Sequence, residues 1–332
     1  MAGSLTVSPD GSLTGSPDGS PDTPPLTVPI LPGLDEVPGT ERGARRAFAT
    51  RLFHRVAQAL DHRIDGPLTF LGEGLWHHAW AARLGTADWV LRIPHGPASH
   101  AHDGRLLKEA RLLPWLAAHG IDARIPQPVA LAQTPLGLAS VQTRVSSLQV
   151  PEDRLLFAVA EAAQAVHAVA VPPGEGWLER YPTRLDHGLE RLACCRAVPL
   201  EATQIAADWI EAHLPPPTPA RILHGDLMAQ NQAVDVDGSR VLIDWAEALI
   251  GDPAFDICVV TRGVRRPLGR GDGRRRLLEH YHQRGGDPGV TLEHIYLQEL
   301  ALTAEWLGVP ARPEDHDDAL ARLLRLIKHL GA

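Results

Sequence analysis

The stretch RILHGDLMAQNQAV, residues 221–234, sets His224, Gly225 and Asp226 directly after a short apolar run, Ile222–Leu223, and puts Asn231 five positions beyond the aspartate. A carboxylate and an amide at that spacing are near enough to share one site. The next segment, DVDGSRV at 235–241, carries the turn residues of a hairpin. It leads into VLIDWAEALIGDPAFD, 241–256, where Asp244 ends an apolar strand with its side chain available. Loop, hairpin and strand end are expected to bring Asp226, Asn231 and Asp244 together.

Upstream, the chain divides by pattern. Residues 1–45 are read as a disordered tail. SPDGS occurs at 8–12 and again at 16–20, and Ser, Pro, Asp and Gly offer little to bury against the entropy of ordering; the alternative is a true start downstream of residue 1. Residues 46–145 are read as a small unit of strands and two helices. A helical periodicity near 45–60 is followed by strands at about 68–71, 78–84 and 89–93, with Gly72 and Gly74 joining the first two. A helix over 103–120, kinked or restarted at Pro114, and strands at 128–132 and 137–145 complete it. Residues 146–332 are read as mainly helical, with apolar-periodic segments at 154–171, 200–214, 274–286, 291–307 and 314–330 around the opening motif. The class is α+β in two parts, a small antiparallel sheet and a larger helical portion.

A chain of 332 residues with 44% hydrophobic content can bury a core in each part. No apolar run is as long as a membrane span requires, and no basic-then-apolar leader is visible, so a cytoplasmic protein is expected. The net charge of −8 says little, because five acids of residues 1–40 (Asp10, Asp18, Asp22, Asp35, Glu36) carry most of it. The basic run at 262–276 is read as a solvated loop and helix start rather than a phosphate track, and no nucleic-acid partner is expected. Cys194, Cys195 and Cys258 lack disulfide or metal spacing and are read as reduced structural thiols. His95, His100 and His102 with Asp103 are read as a solvated loop, and His77 and His78 as exposed strand histidines or ligand contacts.

Moving the terminal phosphoryl of a nucleotide to a hydroxyl requires a carboxylate near that hydroxyl and oxygen ligands for Mg²⁺. It also requires a cation on the phosphates and a close backbone cover. Asp226 suits the first task and Asn231 and Asp244 the second. For the third, Arg92 lies on a strand and Glu109 on the following helix as its acidic partner; Gly72 and Gly74 offer the cover. HGDLMAQN, followed in order by IDW and GDPAFD, resembles the aminoglycoside phosphotransferase and choline kinase group. LGEGLWHHAW, WVLRIP and KEARLLPWL resemble the small lobe of the antibiotic kinases in that group.

The resemblance covers about residues 60–330. It implies a two-lobed protein-kinase-like fold, a catalytic role for Asp226, magnesium held by Asn231 and Asp244, and an ATP or GTP donor. Arg92 stands where protein kinases place lysine, and the backbone near Thr143 and Val145 would be the hinge that meets the base. His224 is read as a buried brace on the loop rather than a base, and Asp252 or Asp256 as a cap on the helix that follows. Only six residues separate Asp244 from Gly251, which leaves no room for a peptide platform, so the acceptor is a small hydroxyl compound. Glu299, Glu305 and the EDHDD run at 314–318 could meet a polycationic aminoglycoside. A macrolide, or a metabolic alcohol such as choline, homoserine or a sugar, is the alternative. A non-catalytic nucleotide-binding scaffold would be expected to have lost Asp226, Asn231 or Asp244.

Overall fold

The computed structural model describes residues 24–39, 41–74, 76–95, 100–145, 148–174, 176–261, 272–308 and 313–331. The chain forms two compact units. One comprises Met1–Gly120, Arg124–Ser147 and Pro172–Trp177; the other comprises Ile121–Ala123, Leu148–Val171 and Leu178–Ala332. Among the described residues, no helix is long and apolar enough to cross a membrane.

The first unit contains β1 (Ile30–Pro32), α1 (Arg42–Ala59), β2 (Asp65–Glu73), β3 (His77–Leu84), β4 (Ala87–Pro94), α2 (His100–Ala118), β5 (Pro128–Thr134) and β6 (Gly137–Thr143). They make one six-stranded sheet in the order β1-β5-β6-β4-β3-β2. Every pairing is antiparallel except β1 with β5, so the sheet is mixed and not purely antiparallel. Alternation along the strands feeds two cores. Ala130, Ala132, Ala139 and Val141 join Phe48, Leu52, Phe53 and Val56 of α1, whereas Leu131 and Leu138 turn to the other face and meet Leu106 and Ala110 of α2.

The tail expected over residues 1–45 is corrected from residue 24 onward, residues 1–23 and 40 lying outside those described. Ile30–Pro32 pair with Leu131–Gln133, and Leu26, Val28 and Ile30 pack on the α2 side of the sheet, because this part of the segment does carry apolar side chains. The helix α2 also runs unbroken through Pro114. Burial of Leu112, Leu113 and Leu116 holds it where the missing N–H would favour a break.

The second unit contains β7 (Leu148–Gln149), α3 (Leu155–His167), α4 (Arg184–Arg196), α5 (Glu201–Ala212), β8 (Arg221–Leu223), β9 (Gln232–Val234), β10 (Arg240–Leu242), β11 (Leu249–Gly251), α6 (Ala254–Val259), α7 (Gly273–Gln283), α8 (Leu292–Gly308) and α9 (Pro313–Leu330). Leu192 of α4, Ile210 of α5, Leu297 and Leu300 of α8 and Leu323 of α9 share one core. Two small ribbons, β10-β9-β7 and β11-β8, stand beside the helices and frame residues 224–231. The helix α4 escapes the sequence pattern because its inward positions include Arg184, His187 and Arg191, all buried, so its apolar stripe is interrupted. A reciprocal box starts it: the Thr183 hydroxyl accepts from Asp186 N, and Asp186 accepts from Thr183 N at 2.9 Å.

Candidate active site

In the second unit β8 delivers the chain to Gly225, whose φ is +79°. A Cβ there would fall 1.9 Å from the Glu247 carbonyl oxygen, so the tight passage admits only glycine. His224 is fully buried. Its Nδ1 accepts from Asp226 N at 3.3 Å, and its Nε2 is 3.1 Å from the Ile243 carbonyl oxygen. One nitrogen therefore accepts and the other donates, which defines a neutral ring bracing the loop, as the sequence reading has it.

Asn231 ends a single 3₁₀ turn over Ala229–Asn231. Its Nδ2 donates to the Asp226 main-chain oxygen and to Asp226 Oδ2, both at 2.8 Å. Two acceptors fix the amide orientation, so Oδ1 presents its lone pairs on the opposite side. Asn231 O accepts from Ile243 N at 3.1 Å, which docks the strand end carrying Asp244 against the same loop. Asp244 itself is exposed, has φ +66°, and among the described residues bears no hydrogen bond or ion pair. A non-glycine residue in the left-handed region stores strain, and here it aims an unneutralised carboxylate outward. The Asn231 amide oxygen, turned away from its anchoring contacts, and the exposed Asp244 carboxylate, on a strand end docked to the same loop, are both hard oxygen donors of the kind Mg²⁺ takes.

Both carboxylates after Gly251 differ from the simple cap reading. Asp256, fully buried, accepts from His224 N at 2.7 Å and Gly225 N at 2.8 Å, so it clamps the loop instead of capping α6. Its Oδ2 also takes the Nε2–H of His167 at 3.2 Å. The Tyr281 hydroxyl donates to His167 Nδ1 at 2.9 Å, and burial keeps that phenol protonated by raising its pKa. Asp252 accepts Ala254 N at 3.2 Å, a partial cap, but its main partner is Arg184 Nε at 2.8 Å; both side chains are buried. Burial pushes the Asp252 carboxyl up, with the Arg184 guanidinium pulling the other way. Sequence reasoning missed Arg184, His167 and Tyr281. Their one visible trace was polar residues in otherwise apolar helices.

In the first unit, Leu91 and Ile93 face the α1 core, so Arg92 between them faces α2. There its Nη2 donates to Glu109 Oε2 and its Nε to Ser140 Oγ at 2.9 Å, the pair sitting at the same register of β4 and β6. Gly72 lies at a register shift of β2, and Gly74 N closes the turn by donating to His77 O at 2.9 Å. A Cβ at Gly72 would meet nothing within 4 Å, and one at Gly74 only the His77 oxygen at 3.8 Å. Thr143 is tied at both its amide, to Gln127 O, and its hydroxyl, from Gln127 N, each at 2.8 Å. Val145 has no main-chain hydrogen bond among the described residues.

Three other expectations change. His78 is buried, not exposed, and contacts Arg45 and His95. His100, His102 and Asp103 belong to α2, where Asp103 Oδ1 accepts from Leu138 N at 2.7 Å. Two of the acids considered for a polycationic acceptor are occupied: Glu299 is held by Arg274 in a two-pronged pair at 2.7 Å and by Arg322 at 2.6 Å, and Glu305 by Arg191 at 2.9 Å. Of the basic run, residues 262–271 lie outside those described.

The α+β arrangement is that of the protein-kinase-like small-molecule phosphotransferases. The chain belongs to the phosphotransferase enzyme family, whose model matches residues 67–294. No curated protein sequence matches it. It is similar to a solved macrolide 2'-phosphotransferase type I, with 22% identity and a TM-score of 0.62 over 87% of this chain and 99% of the other. An aminoglycoside 2'-phosphotransferase-IIIa solved as its GDP complex gives 20% identity and a TM-score of 0.61 over 83% and 97%. A choline/ethanolamine kinase family protein from Mesorhizobium loti gives 18% and 0.55 over 79% and 88%.

Proposed function

We propose that this chain is a small-molecule kinase that transfers the terminal phosphoryl of ATP or GTP to a hydroxyl of a small acceptor. The observation that supports it most is the Asn231 amide. Both its N–H bonds hold Asp226, which leaves its oxygen as a ligand and ties the acidic group and the metal position to one side chain.

In this reading Asp226 receives the acceptor hydroxyl and its proton. Asn231 Oδ1 and the Asp244 carboxylate would hold Mg²⁺, which supplies charge neutralisation to the triphosphate when bound. Arg92, fixed by Glu109 and Ser140, carries positive charge for the phosphates, and its planar fork can meet two oxygens at once. The turn at Gly72 and Gly74 covers the phosphates with backbone, and Val145 rather than Thr143 offers a free amide to the base. Because Glu299 and Glu305 already answer arginines, an acceptor of low positive charge, a macrolide or a metabolic alcohol, is favoured over a polycationic aminoglycoside.

The test is turnover by the full chain with MgATP and MgGTP on a panel of macrolides, aminoglycosides, choline, homoserine and sugars. Asp226→Ala should lower kcat by about 10²–10⁴-fold while nucleotide binding survives. Nucleotide binding without turnover on any acceptor would make the chain a scaffold instead.

A further inference from the structure

A second cluster of metal-ligating side chains lies at the end of the sheet beside the glycine turn. Glu73 closes β2 and pairs in register with His78 of β3, and His95 follows the end of β4. One ligand atom from each lies within 4.8 Å of the others. His95 Nδ1 is 2.8 Å from His78 Nε2 and 3.6 Å from Glu73 Oε1, and His78 Nδ1 is 3.7 Å from Glu73 Oε2.

The proton positions make the arrangement informative. His95 Nε2 stands 2.8 Å from the Gly74 carbonyl oxygen, so that nitrogen carries the proton and Nδ1 of the neutral ring is a lone pair. It faces His78 Nε2, which is also a lone pair because Arg45 Nη1 donates to it at 2.9 Å. Two lone pairs this close, next to a carboxylate, need positive charge between them. Either a second proton on His95 or a metal ion supplies it. A histidine that gives its far N–H to a backbone carbonyl is oriented as metal-binding histidines are.

We propose that Glu73, His78 and His95 form a zinc site. Two imidazoles and one carboxylate are a donor set zinc accepts, with a fourth position left for water. Burial, with the neighbouring His95 adding to it, holds the His78 pKa below its ordinary value, so this ring is neutral and able to ligate near pH 7. Arg45 opposes the ion: its guanidinium touches a ligand nitrogen and lies 4.0 Å from Glu73. Its side chain is one-third exposed and can swing into solvent as the metal enters. Bound zinc would join the ends of β2 and β3 and the residue after β4, and through His95 it would fix the Gly74 carbonyl. The site shares no ligand with the phosphotransfer reading and stands without it.

The test is calorimetric titration of metal-stripped full-length protein with ZnCl₂ in excess MgCl₂, which fills oxygen-only sites. A stoichiometry near one is expected. His95→Ala and Glu73→Gln should each weaken binding by more than about tenfold. Arg45→Ala should tighten it, since a competing cation is removed. His78 is buried and its replacement would disturb the packing around it, so Glu73 and His95 decide the matter, with unchanged thermal midpoints in EDTA as the control. Absence of saturable uptake, or uptake that survives both variants, overturns the site and leaves the position to a proton.

Discussion

Asp256 commits both carboxylate oxygens to main-chain amides of the loop that carries Asp226, and it does so without exposure to solvent. Asp256→Asn would turn an NH₂ group toward a donor. Loss of about 1–3 kcal/mol is expected from one buried amide left unmatched, read by urea unfolding. Turnover should fall together with stability, while the KM for nucleotide should change little. Gly225→Ala is expected to be worse: left-handed strain and the approach to Glu247 act together, and more than about 2 kcal/mol should be lost. The closeness of Asn231 to Asp226 was legible in the sequence, because a spacing of five lets an amide reach back to the carboxylate. Asp256 was not, since its partners are backbone N–H groups that no residue letter reveals.

At the level of elements, the β4–α2 contact rests on Arg92 and Glu109, whose carboxylate is nearly fully buried. Arg92→Ala leaves that charge without its cation, so the first unit should lose about 3–5 kcal/mol in a denaturant titration. Arg92→Met combined with Glu109→Met should recover most of this stability while still failing to turn over substrate. At the start of α4, Thr183→Ala removes one half of the reciprocal cap and should cost about 0.5–2 kcal/mol. The strands β2 to β6 and the helices α1, α2, α3, α5, α7, α8 and α9 could be read from their periodicity. α4 could not, because an inward row of Arg184, His187 and Arg191 looks like a solvent face until Asp252 and Glu305 are placed opposite it. Short strands such as β7, β8 and β11 carry too few residues to show any period.

For the molecule as a whole, buried histidines set the response to acid. Burial lowers the pKa of His78, His187 and His294, that of His187 to about 3, where its Nδ1 accepts from Asp252 N at 2.9 Å. An unfolded histidine takes up its proton near pH 6.5. Below about pH 6.5 the unfolded chain therefore binds protons that the folded one refuses, and stability falls by about 1.4 kcal/mol per pH unit for His187 alone. Urea midpoints measured from about pH 7.5 down to about pH 5 should decline, and His187→Asn, which still offers an acceptor, should flatten the slope.

The parallel seam between Ile30–Pro32 and Leu131–Gln133 has a practical bearing on where this polypeptide can be shortened. A version begun at residue 46 would bare the edge of β5 along Leu131–Gln133, where unsatisfied amides and carbonyls are ready to template a foreign strand. Light scattering on that version at rising concentration should report self-association, while a version begun at residue 24 should stay monodisperse under the same conditions.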